Sequence, residues 1–429
     1  MIKLYPYQIL VLDWLRNRKE CALFLEQRLG KTYITIADIL NKPIYDKILI
    51  IAPYSAWLAW EYTLKEFNQY SIQFIEGTRK QRINSLHNLQ KWNITNYQTS
   101  IKSELLSVKW NCVVLDESTY IKNPKAKMTK YFLRLGDNTE YKYILSGTPG
   151  LENPLDYFCQ LRFLSREWLG KNYWEFRNKY CFLNGYNWVL TNSGKEILRQ
   201  TLQNNTYNLK RKDVGFNSNK IYKIITIGKT KEFERIEKTL LEKYLLMRDG
   251  KLLDSTVWIT TMLIWYRQLT GGFIKNNMID NLKSEEIYKI INENKDKKII
   301  IWAVLLPEIN FFYDRGIEKI DGSVKPEKRI EIAERFNNGG LQYIVCNPEA
   351  TKFGINLSAA DISIFYSMSF SLTTQLQAED RMVKQNKESI IYKLIRKNTI
   401  DQDILNCHSR KLTLNQTMEI MKKKYEFKN

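Results

Sequence analysis

The sequence predicts an α/β protein of two lobes, each built on a mostly parallel sheet, with helical protrusions between them. Three observations predict it. Short apolar runs ending in polar loops alternate with helix-length amphipathic stretches, as parallel strands joined by crossover helices do. The alternation occurs twice, over residues 21–149 and again from 297, and an aromatic, helix-rich middle separates the two series. The chain has 429 residues, 44% hydrophobic and 13% aromatic, enough for two to three packed domains and unlike a disordered chain.

In the first series CALFL (21–25), KILIIAP (47–53), NCVVLDE (111–117) and YKYILSGTP (141–149) read as buried strands that run into functional loops. Ligands of such sheets bind at the carboxyl ends of the strands. A helical insertion is expected over about 151–212, which includes WLGKNYWEFRNKYCF (168–182). Trp174, Phe176 and Tyr180 there could stack on bases, but their spacing suits one buried helix face, and core is the expectation adopted. KTKEFERIEKTLLEKYLLM (229–247) carries apolar residues at three- and four-residue spacing and predicts a helical protrusion over 228–272. The polar stretch 274–286 is the expected hinge. The second strand series is KKIIIWA (297–303), IEKIDGS (317–323), LQYIVCN (341–347), DISIFYS (361–367) and IIYKLI (390–395). Lobe one is thus expected over 1–225 and lobe two over 226–429. The lysines of EIMKKKYEFKN (419–429) read as a solvated helix end.

Lys and Arg number 66 against 46 Asp and Glu, a net charge of +20. That balance favours a polyanionic partner, since bound cations release counterions from phosphate backbones. A lysine-rich, AT-biased genome gives the same balance, so charge alone leaves the partner open. The six cysteines, at 21, 112, 159, 181, 346 and 407, form no C-x-x-C pair, and His87 and His408 are the two histidines. This argues against a zinc site or a disulfide framework and suits a reduced cytosol. The opening MIKLYPYQ has no apolar signal core, and no run reaches about 18 apolar residues, so a soluble cytoplasmic protein without a membrane span is expected.

LFLEQRLGKTYITIADIL (23–40) is a strand, a loop ending Gly30-Lys31-Thr32, and an amphipathic helix. Backbone N–H groups at a helix start face phosphates, a Lys31 ammonium would reach the β- and γ-oxygens, and a Thr32 hydroxyl would hold Mg²⁺. The full pattern G-x-x-x-x-G-K-S/T fails at Leu25. VVLDEST (113–119) supplies a second half: Asp116 to hold Mg²⁺ through water and Glu117 to orient the attacking water. Two strand-end motifs in this order point to hydrolysis of a nucleotide, with ATP and Mg²⁺ as the expected ligands.

These motifs resemble those of the Swi/Snf-type DNA translocases of helicase superfamily two, especially the short versions carried by bacteriophages. The resemblance runs from Leu4 to about Arg410. LYPYQ (4–8) is similar to the opening Q motif, LEQRLGKT (25–32) to the phosphate loop and IIAPYSAWLAWEYTLKEF (50–67) to the motif after it. ITNYQT (94–99), LDESTYIKNP (115–124) and LSGTPGLENPLDYFCQLRFL (145–164) follow in the family's order, then NLKRKDV (208–214) and YRQLTGG (266–272). The second lobe matches at IDGSV (320–324) with Arg329 and Phe336, at GINLSAAD (354–361) and at QAEDRMVKQNK (377–387).

The resemblance implies two RecA-like lobes that share one ATP. Gln8 would read the adenine edge. Gln377, Arg381 and Lys384 would come from lobe two to the γ-phosphate. Ser55, Asn96, Thr148, Ser323 and Asn356 would lie along the DNA track or couple it to ATP, against ordinary turn or capping roles. It implies a double-stranded DNA partner and a monomer that works in phage replication, recombination or repair. A protein partner would supply any nuclease or replication chemistry. Three positions depart from the family. Arg28 stands where a glycine is usual, and would swing out or add a charge contact to the nucleotide. Thr119 replaces a histidine. Lys384 replaces a second arginine, whose forked geometry lysine lacks. Arginine fingers contribute roughly 10³–10⁵ in rate. Two alternatives therefore stay open beside translocation: a strand-separating helicase, and a DNA-binding scaffold controlled by nucleotide that hydrolyses it weakly.

Overall fold

The computed structural model describes residues 4–426 except 103, 148, 151–152, 185–186, 217–218, 244, 249–250, 256–257, 352–354 and 384–386, with backbone alone at 55, 187, 245–248 and 251–255. The chain divides into two compact units, Met1–Phe216 and Asn217–Asn429.

The first unit holds β1 (Glu20–Leu25), β2 (Ile48–Ile51), β3 (Ile72–Phe74), β4 (Trp92–Thr95), β5 (Cys112–Asp116) and β6 (Tyr141–Leu145). A hairpin of β7 (Cys181–Asn184) and β8 (Asn187–Leu190) precedes β9 (Thr206–Leu209). The main sheet runs β3-β4-β2-β5-β6-β1-β9, with every neighbouring pair parallel. Successive side chains point to opposite faces, and the apolar runs fill both. Ala22, Phe24, Leu49, Ile51, Val113 and Leu115 enter one core; Cys21, Leu23, Ile48, Ile50, Cys112 and Val114 enter the other. Helices therefore cover both faces, as a parallel sheet requires.

The expected insertion over 151–212 is only partly helical. Helices Tyr157–Leu164, Tyr173–Tyr180 and Asn192–Asn205 accompany the β7–β8 hairpin, and β9 returns to pair with β1 in the main sheet. Core packing holds for Phe176, which is buried against Phe158 and touches Tyr180. It fails for Trp174, which is 39% exposed. The hairpin explains the difference: the Arg177 guanidinium stacks on Trp188 at 4.1 Å and on Trp174 at 4.9 Å, so Trp174 covers a cation at the surface.

The second unit begins with β10 (Asn219–Ile227), followed by the hairpins β11 (Leu245–Arg248) with β12 (Lys251–Ser255) and β13 (Phe273–Ile274) with β14 (Asn277–Met278). Then come β15 (Ile299–Trp302), β16 (Glu318–Ile320), β17 (Tyr343–Cys346), β18 (Ile362–Phe365) and β19 (Glu388–Arg396). The sheet order is β10-β19-β18-β15-β17-β16, again parallel throughout.

Two expectations are corrected here. The expected boundary after 225 falls inside β10, whose residues from Asn219 onward pair with β19, so the units part at 216. The expected hinge at 274–286 belongs to the second unit: it carries the β13–β14 hairpin and the start of helix Leu282–Glu293. Two of its polar residues, Asp280 and Lys283, are buried in ion pairs. Arg396 pairs with Asp280 and donates to the carbonyls of Thr270 (2.9 Å) and Gly228 (2.7 Å). Lys283 donates to Asp401 (2.7 Å) and to the Tyr366 carbonyl (2.9 Å). The protrusion expected over 228–272 contains helices Lys231–Lys243 and Ile259–Thr270, with the β11–β12 hairpin between them. Among the described residues no helix is long and apolar enough to cross a membrane.

Candidate active site

The chemistry-bearing residues of the first unit collect where β1, β6 and β5 end. After β1 the chain turns through Arg28 at φ +71° and Gly30 at φ +75°, and helix Lys31–Leu40 starts at once. Its first N–H groups have no acceptors within the helix, as at any helix start, and so can serve an anion. Gln8 explains the glycine. It is buried, its amide donates to the Leu29 carbonyl at 3.4 Å, and a Cβ at Gly30 would stand 2.2 Å from its Nε2. Gln8 also accepts from the Tyr5 N–H at 2.9 Å and so caps helix Pro6–Leu15. Lys31 bends toward the loop, with Nζ donating to the carbonyls of Leu25 (2.8 Å) and Glu26 (3.4 Å). Thr32 is partly exposed in the first turn of the helix.

β5 delivers the acid pair. Asp116 accepts from the Trp60 indole N–H at 2.9 Å, and Tyr97 OH donates to its carbonyl at 2.9 Å. Glu117 turns out of the strand at φ +60°, and its Oε1 accepts from Ser146 (3.3 Å) and Thr119 (3.2 Å). Burial pushes both carboxyls above the ordinary carboxylate range. The Trp60 hydrogen bond and the Lys31 charge pull Asp116 partly back, and Lys31 does the same for Glu117 against repulsion from Asp116. A cation at the end of β1 thus acts on two carboxylates at the end of β5, with Ser146 of the intervening β6 end between them. This set fits a triphosphate with Mg²⁺. Among the described residues no cluster of three or more His, Cys, Asp or Glu could hold a metal unaided, and Mg²⁺ in such sites takes one or two protein oxygens plus phosphate oxygens.

Further contacts tie together the segments around this site, two of them from residues within quoted motifs (Lys122 and Arg211) and one from Gln160, whose role sequence alone does not mark. Arg211, just after β9, donates its backbone N–H (2.9 Å) and guanidinium (3.3 Å) to Glu26 of the phosphate loop. Lys122 reaches Asp156 at 3.5 Å. Gln160, on helix Tyr157–Leu164, bonds Ser118 and the Pro149 carbonyl.

In the second unit, Gln377 and Arg381 lie on and just beyond helix Leu372–Asp380, which the Ser371 side chain caps. Gln377 is buried. Arg381 donates through Nη1 to the Ile355 carbonyl at 3.3 Å. β10 and β19 fix the end of this helix: Tyr222 OH (2.8 Å) and Lys393 (3.0 Å) meet Glu379, and Lys220 meets Asp380 at 2.9 Å. Lys384 lies outside the described residues.

The five candidates for nucleic acid divide differently. Thr148 lies outside the described residues, and Ser55 is described by its backbone alone, in a 3₁₀ turn after β2. Asn96 accepts from the Thr99 N–H (2.7 Å) as an N-cap. Ser323 is held by Asp321, and Asn356 accepts from the Ser358 N–H (3.1 Å). Arg329 donates to the carbonyls of Val324 and Ala350, tying the turn of Ser323 to the loop after β17. Each described candidate therefore has a local turn or capping role.

Residues 7–261 match the SNF2-related domain family, and residues 282–386 match the helicase conserved C-terminal domain. Curated relatives include an uncharacterized ATP-dependent helicase of Mycoplasma pneumoniae, 26% identical over 95% of this chain and 41% of its own length. Chromodomain-helicase-DNA-binding protein 6 of Rattus norvegicus is 24% identical over 97% of this chain and 18% of its own length. The chain thus spans less than half the length of these relatives. Among solved structures, a Sulfolobus solfataricus SWI2/SNF2 ATPase core in complex with dsDNA is 21% identical, with a TM-score of 0.47, covering 100% of this chain and 98% of that one.

Proposed function

The chain belongs to the SNF2-related family, the Swi/Snf type within helicase superfamily two, and on that premise we propose that it is an ATP hydrolase that translocates along double-stranded DNA. The observation that carries the proposal is that neighbouring parallel strands β5, β6 and β1 end in Asp116-Glu117, in Ser146 and in the loop that leads to Lys31, with Ser146 donating to Glu117 at 3.3 Å.

The N–H groups at the start of helix Lys31–Leu40 and the Lys31 ammonium take the phosphates. Gln8 meets the adenine, and Arg28 and Gly30 shape the loop. Thr32 and Asp116 would hold Mg²⁺, which neutralises phosphate charge. Glu117 accepts a hydrogen bond from the attacking water and aims it in line with the γ-phosphate. Arg381 is the proposed cation for the transferred phosphoryl group, with Gln377 and Lys384 assisting. Ser55, Asn96, Thr148, Ser323 and Asn356 are proposed to face the DNA backbone, where contacts carry no sequence information. Support for DNA comes from the family, from the DNA-binding names of relatives, and from a net charge of +20. The phage setting, a monomeric state and a partner for further chemistry follow from motif resemblance.

The test is ATP turnover with and without duplex DNA. Duplex is expected to raise turnover, and Lys31→Ala to abolish the stimulated rate, by roughly 10² or more. Unstimulated turnover that survives Lys31→Ala would sink the motor. Arg28, in a left-handed conformation that glycine adopts freely, favours a second reading as a weakly hydrolysing scaffold. That reading predicts duplex binding that depends on ATP with almost no turnover. Displacement of a triplex strand without opening of a forked duplex separates translocation from strand separation.

A further inference from the structure

Two distant stretches of chain close a ring of contacts around Glu117. Ser146, the first residue of the Ser-Gly-Thr-Pro sequence, donates its hydroxyl to the Glu117 carboxylate at 3.3 Å. Ser118, the next residue along from Glu117, donates to Gln160 Oε1 at 2.6 Å. Gln160 Nε2 donates to the carbonyl of Pro149, the last residue of that same sequence, at 2.7 Å, and to the Asp156 carbonyl at 2.8 Å. Ser118 and Gln160 are both fully buried. Gln160 therefore uses both amide hydrogens and its carbonyl oxygen inside the protein. Its helix neighbours Cys159, Leu161, Phe163 and Leu164 are buried and apolar or weakly polar, so an apolar side chain of similar length would serve packing equally well. Glu117 itself sits at φ +60°, a backbone conformation that persists only where the surroundings hold it.

We infer that Gln160 is a positioning residue for hydrolysis: through Ser118 it ties the Glu117 backbone to Pro149, while Ser146 holds the Glu117 carboxylate from the other end of the same four residues. A displacement of that sequence is thereby passed to the group that aims the attacking water. The inference rests on the proposed role of Glu117 in ATP hydrolysis.

The experiment uses the full chain as Gln160→Met, Ser118→Ala and the double variant. It measures kcat and KM for ATP with duplex DNA, together with Tm. Gln160→Met keeps the length of the side chain and removes its hydrogen bonds. The expected result is a kcat lower by about tenfold to a hundredfold with KM within about twofold. Ser118→Ala should fall similarly, and the double variant should be no worse than Gln160→Met, because both cut one link. Losses that multiply in the double variant, or a kcat within twofold of wild type, overturn the role of Gln160. A purely structural role would lower Tm and leave kcat per folded molecule unchanged, which also overturns it. If Gln160→Met does not fold, Ser118→Ala, which removes one oxygen, decides. Absence of turnover in the wild type would instead sink the hydrolase reading itself.

Discussion

Asp116 and Glu117 are charged groups placed where charge is costly, and the cost has a sign that can be measured. Burial raises both carboxyls above their ordinary range, so the folded state binds their protons more readily than the unfolded chain does. Their contribution to stability is therefore full at low pH. It is lost as pH rises from the ordinary carboxylate range, about 4, through the raised values. Glu117→Gln keeps the shape and removes the charge. It is expected to melt at or above wild type at pH 8, with the advantage shrinking toward pH 5, while the DNA-stimulated rate falls roughly 10²–10⁴-fold. A variant that melts clearly below wild type at pH 8 would show that the Lys31 attraction outweighs desolvation. The residues legible in the sequence are those whose side chains carry the chemistry: Lys31, Thr32, Asp116 and Glu117 announce themselves by type and by position after an apolar strand. Arg211 and Gln160 do not. Arg211 meets Glu26 across the β1–β9 pairing, far off in sequence, and a glutamine on an amphipathic helix looks solvent-facing until its burial is known.

Among the elements, the central strands are the most legible in sequence, with two exceptions: β4 (WNIT), interior and fully buried, is hidden by its mix of polar and apolar residues, and the edge strand β16 does stand out. β2 is ILII with every residue buried, β15 is as apolar, and β5 is apolar up to its terminal Asp116. β3, β9 and β10 are edge strands, where exposure breaks the apolar run: IQF in β3 is half-buried, and five of the nine residues of β10 are exposed. The stretch 274–286 reads as a hinge for the opposite reason, since Asp280, Lys283 and Ser284 within it are polar yet interior. Lys283 is fully buried and pairs with Asp401, which also accepts from Thr270 at 3.0 Å. Removing one partner of a buried pair leaves an uncompensated charge and costs about 3–5 kcal/mol. Lys283→Met is thus expected to lower the melting temperature on the order of 10 °C, given roughly 2–4 °C per kcal/mol for a unit of this size. A thermal melt of the purified variant checks it. A shift under about 2 °C would mean that the pair is not formed, and would restore 274–286 as a candidate hinge.

At the scale of the whole molecule, charge is the property that composition left ambiguous. A net +20 suits both a nucleic-acid partner and a lysine-rich genome, and the two origins predict different behaviour in salt. Charges that neutralise phosphates release counterions, so binding falls linearly in log–log form with a slope near −0.9 per phosphate contact. Charges scattered by base composition give weak binding with a shallow slope. Mobility on an unrelated sequence adds a second constraint, because backbone contacts position a protein without reading bases. Duplexes of equal length and different sequence are therefore expected to bind within about threefold of one another. For six or more phosphate contacts, affinity should fall roughly 10³-fold or further between 50 and 200 mM salt. Fluorescence anisotropy with labelled duplexes across that range, with ATP and without, measures both quantities. A slope of two or less, alongside a strong preference for one sequence, would place the positive charge in composition and remove the track on which the proposed motor runs.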